Sequence, residues 1–245
     1  MKALMIAALG YIGVLSSAAS AEISLLASAA IDAALGEALP RFEAASGHSV
    51  KTRWGIATAL RKDIENEAAF DVTILVGDLD GLARDGRIVA GTQGALGRSG
   101  YGLAVRRGAA KPDIATPEAF KAALLAARSV GYVEGGGSGA YFLGLLDRLA
   151  IADAMKPKLR ASTNGQEALA RGEVEMIVTG IVPILAAPGI ELAGPLPGDL
   201  QNYSVFHAGV GAGAKDRAAA MALADFLRSE AAAAVFRKHG IEPAR

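Results

Sequence analysis

Three short runs of small residues carry the chemistry this sequence can do. They are Ser28-Ala29-Ala30, Ile56-Ala57-Thr58 and Gly135-Gly136-Gly137-Ser138-Gly139, and each stands between a stretch that reads as a strand and one that reads as a helix. A helix N-terminus leaves backbone N–H groups unpaired and carries a partial positive charge. Small side chains let an anion approach those N–H groups, and Ser or Thr adds a hydroxyl donor. Three such turns on one chain describe a site for a small anion that needs no formal countercharge. Taken singly, each has a plainer role: Thr58 caps a helix beginning at Ala59, Ser138 caps one beginning at Ala140, and Ser28 sits in a turn. The Gly-rich run is not a Walker A loop, since no Gly-Lys-Ser/Thr follows. Nor is it a nucleophile elbow, since Ala140 stands where G-x-S-x-G requires its last Gly.

Other chemistries are poorly supplied. There is no Cys among the 245 residues, which excludes disulfides, zinc ribbons and thiol catalysis. The three histidines, His48, His207 and His239, lie far apart, so no His-rich metal motif exists and no metal or other cofactor is expected. Lys plus Arg and Asp plus Glu both number 25, a balance that weighs against nucleic acid as a partner. Catalysis would draw on Ser138, Ser204 or the histidines, with Glu134 as the best acid/base candidate; no triad spacing is readable, and a binding protein rather than an enzyme is expected. Arg53 and Trp54 end a strand beside the second turn. Facing a cleft, Arg53 would pair with a carboxylate or phosphate-like group, and Trp54 would stack on an organic body. Facing outward, Arg53 is a solvated edge residue and Trp54 packs between elements.

The elements that must position these turns alternate. Strands are predicted at Glu22–Ala27, Ser49–Arg53, Asp71–Leu75, Gly100–Arg106, Val130–Val133, Val174–Thr179 and Tyr203–Val210, with helices between them and two Ala-rich helices at the end. Thr116-Pro117-Glu118 reads as a helix start, and Gly47 as a helix stop. Residues 188–199, rich in Pro and Gly, read as a linker. Short βαβ steps of this kind give an α/β protein with a parallel sheet, whose ligands collect at the carboxyl ends of the strands. The first 21 residues read as a secretion signal: Met1-Lys2, an uncharged apolar run from Ala3 to Leu15, and Ala19-Ser20-Ala21 as the cleavage site. The mature chain is thus expected to be exported and periplasmic.

Further motifs run the length of the chain. They are Phe42-Glu43 through Gly47-His48, Gly55 to Ile64, Phe70-Asp71-Val72, Gly135 to Gly139, Gly172-Glu173-Val174-Glu175, Gly194-Pro195-Leu196-Pro197, Ala208-Gly209-Val210, Phe226-Leu227-Arg228-Ser229 and Gly240-Ile241-Glu242-Pro243. In order and spacing they resemble the periplasmic molybdate-binding proteins of ABC importers and their relatives, over nearly all of the mature chain. The resemblance implies the type II periplasmic binding fold: two Rossmann-like α/β lobes joined by two crossover strands, with an anion held in the cleft. It assigns 22–99 and 207–245 to lobe 1 and 100–206 to lobe 2, with the crossovers at Gly100–Val105 and Tyr203–Ala208. It implies a monomer that captures a molybdate- or tungstate-like oxyanion and delivers it to an inner-membrane ABC permease.

Carried over residue by residue, Thr58 takes the second-turn Ser, Ser138 with the amides of Gly139 and Ala140 forms the third loop, and Thr179 lies in the fourth segment. The first-turn Ser falls at Ala30, with Ser28 two residues earlier. The fourth segment, Met176 to Ile184, lacks the Tyr that closes over the oxyanion in the best-known members. Both departures, and Arg53, bring in a small organic carboxylate as the alternative ligand; a periplasmic enzyme and a sensory domain are the remaining readings.

Overall fold

A computed structural model of the chain describes residues 20–244; the expected secretion signal, apart from Ser20 and Ala21, lies outside the described residues. The chain opens with β1 (Glu22–Ser28), a 3-10 turn at Ala29–Ile31 and α1 (Asp32–Ser46). α1 buries Ala34, Leu35, Ala38, Leu39 and Phe42 at helical spacing, and Gly47 ends it with a φ of 74°. Then come β2 (Ser49–Gly55), α2 (Ala57–Glu65), β3 (Val72–Val76) and α3 (Asp80–Arg84). β1 pairs in parallel with both β2 and β3. The middle of the chain contributes β4 (Gly94–Arg106), α4 (Pro117–Ala126), β5 (Val130–Val133), α5 (Gly137–Arg148), α6 (Ala152–Met155), β6 (Leu159–Ser162), α7 (Gly165–Ala170), β7 (Met176–Gly180), α8 (Ile181–Ala186) and β8 (Ile190–Pro195). β9 (Tyr203–Val210), α9 (Arg217–Leu227) and α10 (Glu230–Lys238) complete it.

β4 is the element that makes two sheets out of one ladder. Over Gly94–Gly100 it pairs with β9, which pairs in turn with β3. Beyond that point, from Tyr101 to Arg106, it pairs with β7 and β8. The strand order is therefore β2-β1-β3-β9-β4-β7-β5-β6, with β8 on β4. At Gly102 an added Cβ would lie 2.7 Å from the Leu192 side chain and 3.0 Å from the Gly194 carbonyl, so glycine is what lets β8 lie against β4 there. The hydrophobic cores follow the same division. Ile23, Leu25, Val72, Phe206 and Leu223 pack in one; Leu103, Phe120, Val130, Phe142 and Val178 pack in another. α8 joins the first to a further cluster, with Val182 in the first and Ile184 packed with Ile177 and Ile190.

The expected alternation of strands and helices is present, and β5 and β9 begin and end where the sequence places them. Thr116 caps α4 by accepting the Ala119 N–H, with Pro117 at its first position. The differences are physical. β4 begins six residues before Gly100, because its first half has β9 to pair with. Residues 188–199, expected as a linker, contain β8, whose Ile190 is buried against the core. Its one glycine, Gly194, lies close under the Ile114 side chain, 3.1 Å from where a Cβ would stand.

One buried carboxylate ties the first sheet together. Asp71, 3% exposed, accepts the Ser24 N–H at 2.7 Å, the Ser24 hydroxyl at 2.8 Å and the Lys215 N–H at 2.7 Å. Burial alone would raise its pKa. The hydrogen bonds from Ser24 and Lys215 outweigh burial and hold the carboxyl below its ordinary value of 3.8. Its stabilisation is therefore complete above the ordinary value and is lost as pH falls through the lower folded one. Asp71→Asn turns one acceptor into a donor facing donors, and should cost about 2 kcal/mol at pH 7. In urea unfolding the gap to the parent should narrow as pH drops below the carboxylate range; a gap constant with pH would mean that the charge plays no part.

Candidate ligand-binding cleft

A cavity of about 630 Å³ lies between the two sheets, at the carboxyl ends of the strands. On one side it is walled by Ser28 at the end of β1, by Gly55 to Thr58 between β2 and α2, and by Val76 of β3. Val133, Gly136, Gly137 and Ser138 between β5 and α5, and Thr179-Gly180 at the end of β7, form the other side. Tyr101 of β4 and Ser204 of β9 also line it.

Two helix starts from opposite sides meet there. α2 is preceded by Ile56 and α5 by Gly136; both are extended, and neither provides a side-chain cap. The first backbone bonds of these helices are Leu60 N–H to the Ile56 carbonyl at 3.0 Å and Ala140 N–H to the Gly136 carbonyl at 3.1 Å. The N–H groups of Ala57, Thr58 and Ala59, and of Gly137, Ser138 and Gly139, precede them and have no acceptor within their helices. Both helices start earlier than expected, because extended backbone at Ile56 and Gly136 fills the capping position. Thr58 and Ser138 are thereby placed inside the first turns rather than at the caps.

The hydroxyls are engaged across the cavity. Thr58 Oγ1 donates to the Gly135 carbonyl at 3.3 Å, joining the two sides. Ser138 Oγ and Thr179 Oγ1 lie 3.4 Å apart. Ser28 Oγ accepts the Ala30 N–H at 3.4 Å. Ser204 Oγ donates to the Tyr101 phenol oxygen at 3.1 Å.

Of the residues expected from the sequence, Ser28, Ala30, Thr58, Ser138 and Thr179 are brought together in the lining. Gly139, Ala140, Arg53 and Trp54 are not part of it. Gly139 is buried against β5, where an added Cβ would fall 2.0 Å from the Val133 carbonyl oxygen. Arg53 forms an exposed ion pair with Asp63 at 2.8 Å, and Trp54 is 41% exposed. The charged residues in the lining are Asp32, Glu167 and Arg171, and Arg171 is engaged by Glu167 and Glu173. The lining is therefore mainly apolar, and its polar groups are mostly neutral hydroxyls, amides and backbone N–H groups.

No histidine lines it, and both candidate nucleophiles have other hydroxyls for partners: Thr179 for Ser138, Tyr101 for Ser204. Among the described residues, no three of His, Cys, Asp and Glu are grouped to hold a metal ion. No described helix is long and apolar enough to cross a membrane. The pair that sequence reasoning did not find as a site is Tyr101 with Ser204, the latter considered only as a nucleophile. The available signal was a tyrosine set between Gly100 and Gly102 on a crossover strand.

Over residues 23–242 the sequence matches the family described as bacterial extracellular solute-binding proteins. The chain belongs to that family. This solute-binding protein is 31% identical over 234 residues to an aconitate isomerase of Pseudomonas sp, an alignment that covers 90% of this chain and 87% of the relative. Its fold is similar to that of the Azotobacter vinelandii periplasmic molybdate-binding protein, with a TM-score of 0.76 and 15% identity over 91% of this chain and 100% of that one. It is also similar to L-phospholactate-bound PEB3, a Campylobacter jejuni protein, with a TM-score of 0.68 and 16% identity over 91% of this chain and 100% of that one. At such identities these two structures establish the fold, which is the two-lobe periplasmic binding fold that the sequence motifs implied.

Proposed function

We propose that this solute-binding protein captures a small organic polycarboxylate between its lobes. The observation that carries this reading is a cavity of about 630 Å³ whose two sides touch through Thr58 and Gly135, with a mainly apolar lining into which a few neutral N–H and O–H donors are set. Such a volume is in the range of clefts that hold multi-atom organic ligands. A single tetrahedral oxyanion would leave most of it unfilled. Neutral donors suit a carboxylate, because charge-assisted hydrogen bonds strengthen as the lobes close and the local dielectric falls. The 31% identity to an aconitate isomerase supports the same ligand class.

In this reading the lobes are residues 22–99 with 207–245, and 100–206, with β4 and β9 passing between them. Closure presents the loaded protein to a membrane permease. Residues 1–21 direct export to the periplasm. A second reading, isomerisation of the bound unsaturated acid, is favoured by the enzyme's name on that relative. A third, a molybdate- or tungstate-like oxyanion, is favoured by the likeness to the Azotobacter vinelandii protein.

Thermal unfolding of the mature chain against cis- and trans-aconitate, citrate, molybdate, tungstate and sulfate separates them. A ligand at 100 times its Kd stabilises by about 2.7 kcal/mol, or about 5–10 °C for a chain of this size. Stabilisation by the carboxylates is the expected result; a shift with molybdate and tungstate alone overturns it. Proton NMR of aconitate incubated with the protein then tells capture from conversion: unchanged resonances fit a receptor, and interconversion of the two isomers fits an isomerase.

A further inference from the structure

Tyr101 has an unusual position for a tyrosine in this chain. It lies where β4 leaves the first sheet for the second, paired with Gly180 of β7, and is 5% exposed. Its ring packs against Tyr141 with centroids 5.4 Å apart. Its hydroxyl accepts from Ser204 Oγ at 3.1 Å. A phenol has one hydrogen to donate, and among the described residues no protein acceptor receives it. Both Tyr101 and Ser204 line the cavity, and the Tyr101 hydroxyl is close to the start of α5, 3.8 Å from where a Cβ on Gly137 would stand. A buried donor that faces a cavity without an acceptor lacks a partner that the ligand can provide.

We infer that the Tyr101 hydroxyl is a ligand donor: oriented by Ser204, it gives its hydrogen to an acceptor oxygen of the bound anion beside the first turn of α5. The inference rests on the proposed carboxylate ligand only for the choice of probe, since any anion seated at that turn would meet the same donor. Ser204 fixes the direction of the free hydrogen by occupying the phenol oxygen. Burial pushes the Tyr101 phenol above its ordinary value of 10.0, partly offset by the Ser204 hydrogen bond, so the group remains a protonated donor at neutral pH. The site gains specificity from this: a ligand that lacks an acceptor at that point leaves a buried hydroxyl unpaired.

The test is Tyr101→Phe, which removes one oxygen and keeps the ring on Tyr141. Calorimetric titration of the ligand-stripped mature chain with cis- and trans-aconitate should show Kd raised about 10- to 100-fold in the variant, the size of a lost hydrogen bond to a charged group. Its ligand-free unfolding midpoint should stay within a few degrees of the parent. Ser204→Ala, which only releases the direction of the hydroxyl, should weaken binding less, by about 3-fold. If Tyr101→Phe lowers the unfolding midpoint substantially, Ser204→Ala decides: weaker binding supports the donor and unchanged binding overturns it. Equal affinities in parent and Tyr101→Phe overturn the inference whatever the ligand. If the parent takes molybdate and no carboxylate, the ligand reading fails, and the same comparison made with molybdate decides the role of Tyr101. Binding of none of these anions overturns both.

Discussion

Ser138→Asp should abolish anion capture while leaving the empty protein as stable as the parent or slightly more so. The two effects have opposite signs because one helix start serves both. Position 138 lies in the first turn of α5, where a carboxylate side chain meets unpaired N–H groups and the positive end of the helix, a placement worth about 0.3–1 kcal/mol to the ligand-free fold. It also lies 3.4 Å from Thr179 Oγ1, which is able to donate to the new carboxylate. An anionic ligand seated at the same turn meets a like charge instead. Two unit charges about 4 Å apart at an effective dielectric near 20 repel by about 4 kcal/mol, or close to a thousandfold in affinity. Titration with aconitate should show no heat, and the ligand-free melting curve should be unmoved or shifted upward. Undiminished binding by Ser138→Asp would remove the anion from this turn. A large fall in the melting temperature would mean that Ser138 is structural rather than a donor.

How much of this was legible in the sequence depends on whether the signal was local. Thr116-Pro117-Glu118 declares a helix start through its own caps, and α4 begins at Pro117. The turns at Ser28, Thr58 and Ser138 could be read because a strand, a small-residue run and a helix follow one another along the chain. Their convergence on one cleft is a property of the sheet order, in which β1 and β2 end at the cavity from one side and β5 from the other. That order came from the motif resemblance and not from periodicity. β8 is hidden because Gly194 and Pro195 look like linker composition until β4 is there to pair with them. Arg53 attracted attention as a free cation beside the second turn, yet Asp63, ten residues on, faces it from α2. Tyr101 was invisible for the converse reason: its partner Ser204 is 103 residues away, and only the adjacency of β4 and β9 brings the two hydroxyls together.

The Gly-rich run before α5 reads in sequence as one surface for an anion, but its glycines have different duties, and substituting alanine should separate them. Gly139→Ala is expected to be among the most damaging single substitutions in the chain. Its new Cβ would fall 2.0 Å from the Val133 carbonyl oxygen and 3.1 Å from the carbonyl carbon, and backbone at the end of β5 has no rotamer with which to give way. The start of α5 would have to lift off β5, exposing the region around Phe142 and Leu145, which are fully buried. A cost of about 3 kcal/mol or more follows from overpacking against backbone, or a fall of about 6–12 °C in the unfolding midpoint of a chain this size. Gly137→Ala, two residues earlier, meets nothing nearer than the Tyr101 hydroxyl at 3.8 Å, an ordinary contact, so its melting temperature should be that of the parent. Its methyl group would stand beside the hydroxyl inferred to hold the ligand, so binding, rather than stability, should fall. Equal melting temperatures for the two variants would show that α5 does not rest on β5 through Gly139. Unchanged aconitate affinity in Gly137→Ala would move the ligand away from Tyr101. The functional meaning of the run is this division: one glycine lets helix and strand touch so that the helix start is held rigidly, and another leaves the space beside Tyr101 open for what the cleft receives.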